Sequence, residues 1–154
     1  MKIPYLVKTA SPDFSKAFCD IRQILKPLIP VVLRFQGRKV KLFALVDSGA
    51  DACLFPRGVA DDLGIDVREG TRIDFTGIGG MPAAFYFHEV EILFGEHQVR
   101  TRVGFSIALN IGTGGILGQQ GFFENFIVAF NHKNRFIEIT KHSLIQELRS
   151  ESSN

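Results

Sequence analysis

Apolar and polar positions along the chain alternate or cluster in short runs, and few segments repeat at helical spacing. Residues 30–35 form a β-rich run that ends at the turn Gln36-Gly37-Arg38. Residues 40–46, VKLFALV, are nearly all apolar, which predicts a strand buried on both faces. That run stops at Asp47-Ser48-Gly49. Pro56 suits the first turn of a helix and Gly64 suits its stop, so a short helix is expected between them. Residues 67–76 alternate in their second half and predict a half-exposed strand. Gly77-Ile78-Gly79-Gly80 reads as a flexible turn, and residues 83–88 run back from it as a hairpin. Residues 89–94 and 98–105 predict a second hairpin around Gly95-Glu96-His97.

The remaining segments are shorter. Residues 107–115 form a Gly-rich connector, and Ile116-Leu117-Gly118 a short apolar strand. Residues 119–125 predict a short helix or turn. Residues 126–130 and 135–139 predict two strands joined through Asn131-His132-Lys133-Asn134. Near the N-terminus, Phe14, Phe18, Ile21 and Leu25 fit one helical face, which Pro27 and Pro30 would break. Residues 142–149 would pack Leu144, Ile145 and Leu148 as a helix, followed by a loose tail over 150–154. The sum is a mostly β domain closed by many turns, with one or two short helices.

Composition narrows the function. A chain of 154 residues is a prior for one domain, and 45% apolar residues with 15 Phe supply a core. Lysine and arginine total 18 against 16 acidic residues, a net charge of +2, too small for a nucleic-acid footprint. No apolar run approaches the ~20 residues of a membrane helix, so no membrane association is expected. Residues 1–13 lack an apolar core of ~7–15 residues, so no signal peptide is expected. Cys19 and Cys53 make no disulfide framework, which points to a reducing cytoplasm. His88, His97, His132 and His142 show no i, i+4 spacing, and no Cys-x-x-Cys occurs, so no metal or other cofactor is expected. The glycines from Gly112 to Gly118 do not open a long helix after a strand, which a dinucleotide loop requires. Ser48 lies outside any Gly-x-Ser-x-Gly elbow. Cys53, in the apolar context ACLF, reads as a buried inert thiol. Arg38, Lys39 and Lys41 read as a solvated strand edge.

The chemistry is concentrated in Ala44-Leu45-Val46-Asp47-Ser48-Gly49-Ala50-Asp51. A dry apolar strand delivers a carboxylate to its end, and an unpaired carboxylate there would be costly to bury. A second carboxylate sharing one proton solves this and splits the two pKa values. The ionised member then takes a proton from water, and the protonated member gives one to a carbonyl oxygen. Such a pair hydrolyses an amide without a metal or a covalent intermediate. Gly49 permits a tight bend, and the Ser48 hydroxyl can lock it. The bare tripeptide arises by chance in roughly one chain in ten of this length, so alone it is more often a plain turn after a strand.

Its context is more specific. The apolar run before Asp47, Ala50 after it, the glycines from Gly77 and the triplet Ile116-Leu117-Gly118 together resemble the retropepsins, the single-lobed aspartic peptidases of retroviral type. The segment ILGQQGFF resembles small prokaryotic members. The resemblance covers residues 30–139, leaving an N-terminal extension over 1–29 and a C-terminal helix with a polar tail over 140–154. It implies an acid-protease barrel of short strands. It implies Asp47 as the catalytic aspartate, Ser48 in a clasp between subunits, and Gly49 and Ala50 on the cleft floor. Gly77, Ile78, Gly79 and Gly80 would form the substrate-binding flap, with Ile116, Leu117 and Gly118 packed beside the active loop. Such a site needs two loops. Two-lobed relatives carry both in ~300 residues, whereas this chain has one Asp-Ser-Gly and room for one lobe. A symmetric homodimer acting on a peptide or protein substrate is therefore expected. The alternative is a non-catalytic peptide- or partner-binding module on the same fold.

One departure stands out. Retroviral members usually carry Arg after the Gly of the second triplet, paired with the acid after Asp-Thr-Gly-Ala. Here the acid is Asp51 but the partner position holds Gln119, which cannot replace an ion pair one for one. Asp51 would then pair with Arg57 or face solvent.

Overall fold

The computed structural model describes residues 1–76, 82–107 and 114–142. The expected hairpin tip at residues 77–80, most of the Gly-rich connector, and the C-terminal helix and tail from residue 143 onward lie outside those residues. The core is built first on three strands: β4 (Leu28–Phe35), β5 (Arg38–Val46) and β6 (Leu54–Pro56). β4 and β5 form an antiparallel hairpin across Gln36 and Gly37, with Leu28 opposite Leu45 and Phe35 opposite Arg38. β7 (Thr71–Thr76) and β8 (Pro82–Phe94) form the next hairpin, and β8 pairs onward with β9 (His97–Ser106). The second expected hairpin thus begins inside a continuous strand, because residues 83–94 pass from the β7 ladder to the β9 ladder without a break.

The strand order β4-β5-β10-β6-β9-β8-β7 includes β10 (Gly115–Leu117). β8 also pairs with β4, with Val32 opposite Leu93 and Arg34 opposite Glu91, so six strands close on themselves as a barrel. Closure gives β4 a second partner and so covers an edge that would otherwise template aggregation. An Arg34–Glu91 ion pair sits on the closing seam. The hydrogen bond from the Arg34 guanidinium holds Glu91 below the usual carboxylate range.

Inside, Ile29, Val31, Leu33, Val90, Ile92, Val103 and Phe105 are buried and pack in one cluster with Phe55 and Leu117. β5 corrects the expectation of burial on both faces. Ala44 and Val46 are buried, but Lys41 is exposed and Phe43 is 49% exposed, because the outer half of the hairpin turns one side to solvent. The expected helix is α2 (Arg57–Leu63), which buries Val59, Ala60 and Leu63. Pro56 is its N-cap, and Gly64 ends it at φ +73°, where its N–H reaches the Ala60 and Asp61 carbonyls.

A smaller sheet joins β1 (Lys2–Pro4), β12 (Phe136–Lys141) and β11 (Phe126–Asn131), in that spatial order β1-β12-β11. Its buried side, Ile137 and Ile139, meets Phe126, Phe122 and Phe94, whose ring centroids lie within 5.4 Å of one another. The N-terminal helical face is corrected. α1 (Pro12–Ala17) carries Phe14 but ends before Phe18, and Cys19 and Asp20 take left-handed φ values of 52° and 62°. Leu25 belongs instead to β3 (Gln23–Lys26), paired with β2 (Leu6–Thr9). Phe14 and Phe18 still stack, with centroids 4.5 Å apart.

Candidate active site

The strands flanking the Asp47 loop are not neighbours. β10 lies between them, parallel to β5 and antiparallel to β6, so the loop from Asp47 to Cys53 straddles its end. The Val46 N–H donates to the Pro27 carbonyl at 2.9 Å, and the Asp47 N–H to the Leu117 carbonyl at 3.0 Å. The backbone carrying the carboxylate is thereby held on both sides. Asp47 is half-buried, while Ser48 and Gly49 are exposed and Ala50 is half-buried.

The loop then closes on itself. The Gly49 N–H donates to Asp47 Oδ1 at 2.9 Å, and the Ala50 N–H to the Asp47 carbonyl at 3.3 Å. The segment after β10 stitches to its far side. The Gln119 N–H donates to Ala50 O at 2.8 Å, the Gln120 N–H to Asp51 O at 2.9 Å, and the Cys53 N–H to Gln120 O at 3.2 Å. The two backbones cross at Gly118, where an added Cβ would lie 2.6 Å from Ala50 O and closer still to Ala52 O. No side chain fits there. Ile116 is half-buried, and Leu117 and Gly118 are buried beneath the loop. The expected triplet and the expected loop are therefore in direct contact.

Beside this contact, Ala52, Phe85 and Phe87 form a second apolar cluster with Leu54, Phe75 and Ala83. A cavity of ≈ 400 Å³ opens here between the loop and the β7–β8 hairpin, with Ala52, Ile73, Phe75 and Phe87 among its walls. It has the size of a small-molecule or side-chain site. Asp51, Arg102 and Glu124 also line it.

Residues 31–120, more than half of the chain, match the sequence profile of a family described as aspartyl protease. The chain belongs to the aspartyl protease family. Among solved structures, a retropepsin-like aspartic protease from Rickettsia conorii is similar at a TM-score of 0.54 and 14% identity, over 90% of this chain and 99% of that one. EIAV protease complexed with the inhibitor HBY-793 aligns at a TM-score of 0.47 and 22% identity, over 61% of this chain and 82% of that one. No curated protein matches. The expected fold class is borne out: a retropepsin-like barrel of short strands with two short helices.

Within this member of the aspartyl protease family, several candidates named from the sequence take ordinary places. Arg57 pairs with Asp61 at 3.3 Å, so Asp51 has no salt bridge from it and its side chain faces solvent. The buried Cys53 thiol is pushed up to about 12, chiefly by burial, and is unreactive at neutral pH. His88 Nε2 lies 3.0 Å from the Val67 carbonyl, and His97 packs on Phe94 and Phe126. Among the described residues no three His, Cys, Asp or Glu side chains gather as a metal site. None of their helices is long and apolar enough to cross a membrane.

One contact is invisible in the sequence. Gln119 Nε2 donates to the Ser48 carbonyl at 2.7 Å, across 71 positions of chain. The sequence marks this residue as a missing cation; the structure shows it as a hydrogen-bond donor to the Asp47 loop. Only the pairing of β5 with β10 brings the two together, and no local pattern encodes that.

Proposed function

We propose that the chain is an aspartic endopeptidase that works as a homodimer. Asp47 of each copy supplies half of a proton-sharing carboxylate pair. The observation that carries this reading is the placement of Asp47. It directly follows the buried end of β5 at Ala44 and Val46, its backbone is held on both sides, and the adjoining Ser48 and Gly49 are exposed where a second copy can meet them. One carboxylate of the pair, ionised, removes a proton from a water as its oxygen bonds to the scissile carbonyl carbon. The other, protonated, gives its proton to the carbonyl oxygen. The tetrahedral diol then collapses. The C–N bond breaks, the amine nitrogen takes a proton from the first carboxyl, and the second recovers its own from the diol. Ser48 is assigned to the contact between copies, and Gly49 and Ala50 to the floor under the peptide. Ile116, Leu117 and Gly118 support that floor. Gly77, Ile78, Gly79 and Gly80 are assigned to the flap that covers the substrate strand. The two unpaired cysteines suit a cytoplasmic setting.

The test is cleavage of a denatured protein by wild type and by Asp47→Asn, with sedimentation over a range of concentrations. The reading requires cleavage that grows with dimer population and is lost in Asp47→Asn while thermal unfolding is retained. A strict monomer with no cleavage at any concentration would favour a binding module instead.

A further inference from the structure

We infer that Gln119 is a positioning residue for the Asp47 carboxylate, acting through the Ser48–Gly49 peptide unit. Asp47 to Ala50 form a tight turn closed by the bond from the Ala50 N–H to the Asp47 carbonyl, so Ser48 and Gly49 are its two central residues. The peptide plane between central residues can flip when the second is glycine, since glycine accepts the positive φ of the flipped form. Gly49 does not have a positive φ here. In the observed orientation its N–H points at Asp47 Oδ1, 2.9 Å away. A flip would turn that N–H away and free the carboxylate to rotate.

A peptide unit is planar and rigid, so holding its oxygen fixes the direction of its N–H. Gln119 Nε2 holds that oxygen at 2.7 Å. The side chain starts from a fixed point. The Gln119 N–H is bonded to Ala50 O, and its own carbonyl accepts from the Glu124 N–H at 3.1 Å. The amide thus selects one of two turn states, and the selected state is the one that aims the carboxylate. An amide donor also does not titrate, whereas an Arg–carboxylate clamp weakens once its acid is protonated. A clamp of this chemistry keeps its grip in acid.

The inference rests on the peptidase reading for its kinetic part only; the turn itself is tested separately. Gln119→Leu removes the donor at similar size, and Gln119→Glu makes the donor depend on protonation. A carboxylic acid carries an O–H for Ser48 O below its ordinary pKa near ~4.3, and a carboxylate carries none. Two readouts are taken for each variant and for wild type at pH 4 and pH 7. One is exchange of the Gly49 amide proton followed by NMR; the other is kcat and KM on a peptide that wild type cleaves.

In Gln119→Leu, Gly49 protection and kcat should each fall roughly tenfold at both pH values, with KM little changed. In Gln119→Glu both should fall similarly at pH 7 and return toward wild type at pH 4. That reversal within one protein excludes a general loss of fold. Unchanged Gly49 protection in Gln119→Leu, or a Gln119→Glu to wild-type ratio independent of pH, would overturn the inference. If wild type cleaves nothing, the peptidase reading fails, and Gly49 exchange alone still decides the clamp.

Discussion

Gly118→Ala places a methyl group where the two backbones of the site cross. The new Cβ would stand 2.6 Å from Ala50 O and closer to Ala52 O, and both neighbours are main-chain atoms that cannot rotate aside. The loop must therefore shift, at an overpacking cost of about 1–3 kcal/mol. A shift also stretches the bonds from the Gln119 N–H to Ala50 O and from the Gln120 N–H to Asp51 O, each worth about 1 kcal/mol. The expected loss is roughly 3 kcal/mol, which lowers Tm by about 6–12 °C in a domain of this size. Gly58→Ala is the matched control. Gly58 lies in α2, and a Cβ added there would have no atom within 4 Å. That substitution should raise stability by about 0.5 kcal/mol through helix propensity. Urea unfolding of both variants measures the difference. A Gly118→Ala protein within about 0.5 kcal/mol of wild type would refute the close-crossing argument.

Thiol chemistry gives a second expectation. A maleimide at neutral pH should label the exposed Cys19 promptly and leave Cys53 unlabelled until the protein unfolds; fast labelling of both in the native state would contradict the burial of Cys53. The barrel seam gives a third. Arg34 depresses the pKa of Glu91 in the folded state. Its contribution to stability is therefore present above the unfolded carboxylate value of about 4.5 and is lost as pH falls through the lower folded value. Glu91→Gln should flatten that part of the acid unfolding curve, seen as a smaller drop in Tm between about pH 5 and pH 3, a window that spans the unfolded value and the lower folded one; an unaltered slope would show that the pair is not formed.

Local signals make most of the barrel legible. Gln36-Gly37 and Gly95-Glu96 mark the turns of two hairpins, and Pro56 with Gly64 brackets α2, because turns and caps are written in adjacent residues. The Asp47 loop is also legible, since a carboxylate at the end of an apolar run is unusual chemistry in any fold. What escapes is non-local. Phe14, Phe18, Ile21 and Leu25 share a helical spacing, yet Leu25 pairs with Val7 in β2, and that pairing is not encoded in spacing. The VKLFALV run looks buried on both faces because composition cannot tell that β5 outruns the barrel and exposes Phe43. Gln119 looks like a lost charge because the Ser48 carbonyl it reaches is set by strand order rather than by sequence neighbours.

Everything proposed for catalysis depends on two Asp47 side chains sharing a proton across a two-fold axis. A crystal structure of the dimer bound to a peptide measures this directly. Carboxylate oxygens about 3 Å apart beneath the peptide carbonyl are the predicted result. Dimers that hold them beyond the reach of a hydrogen bond or of one bridging water would contradict it.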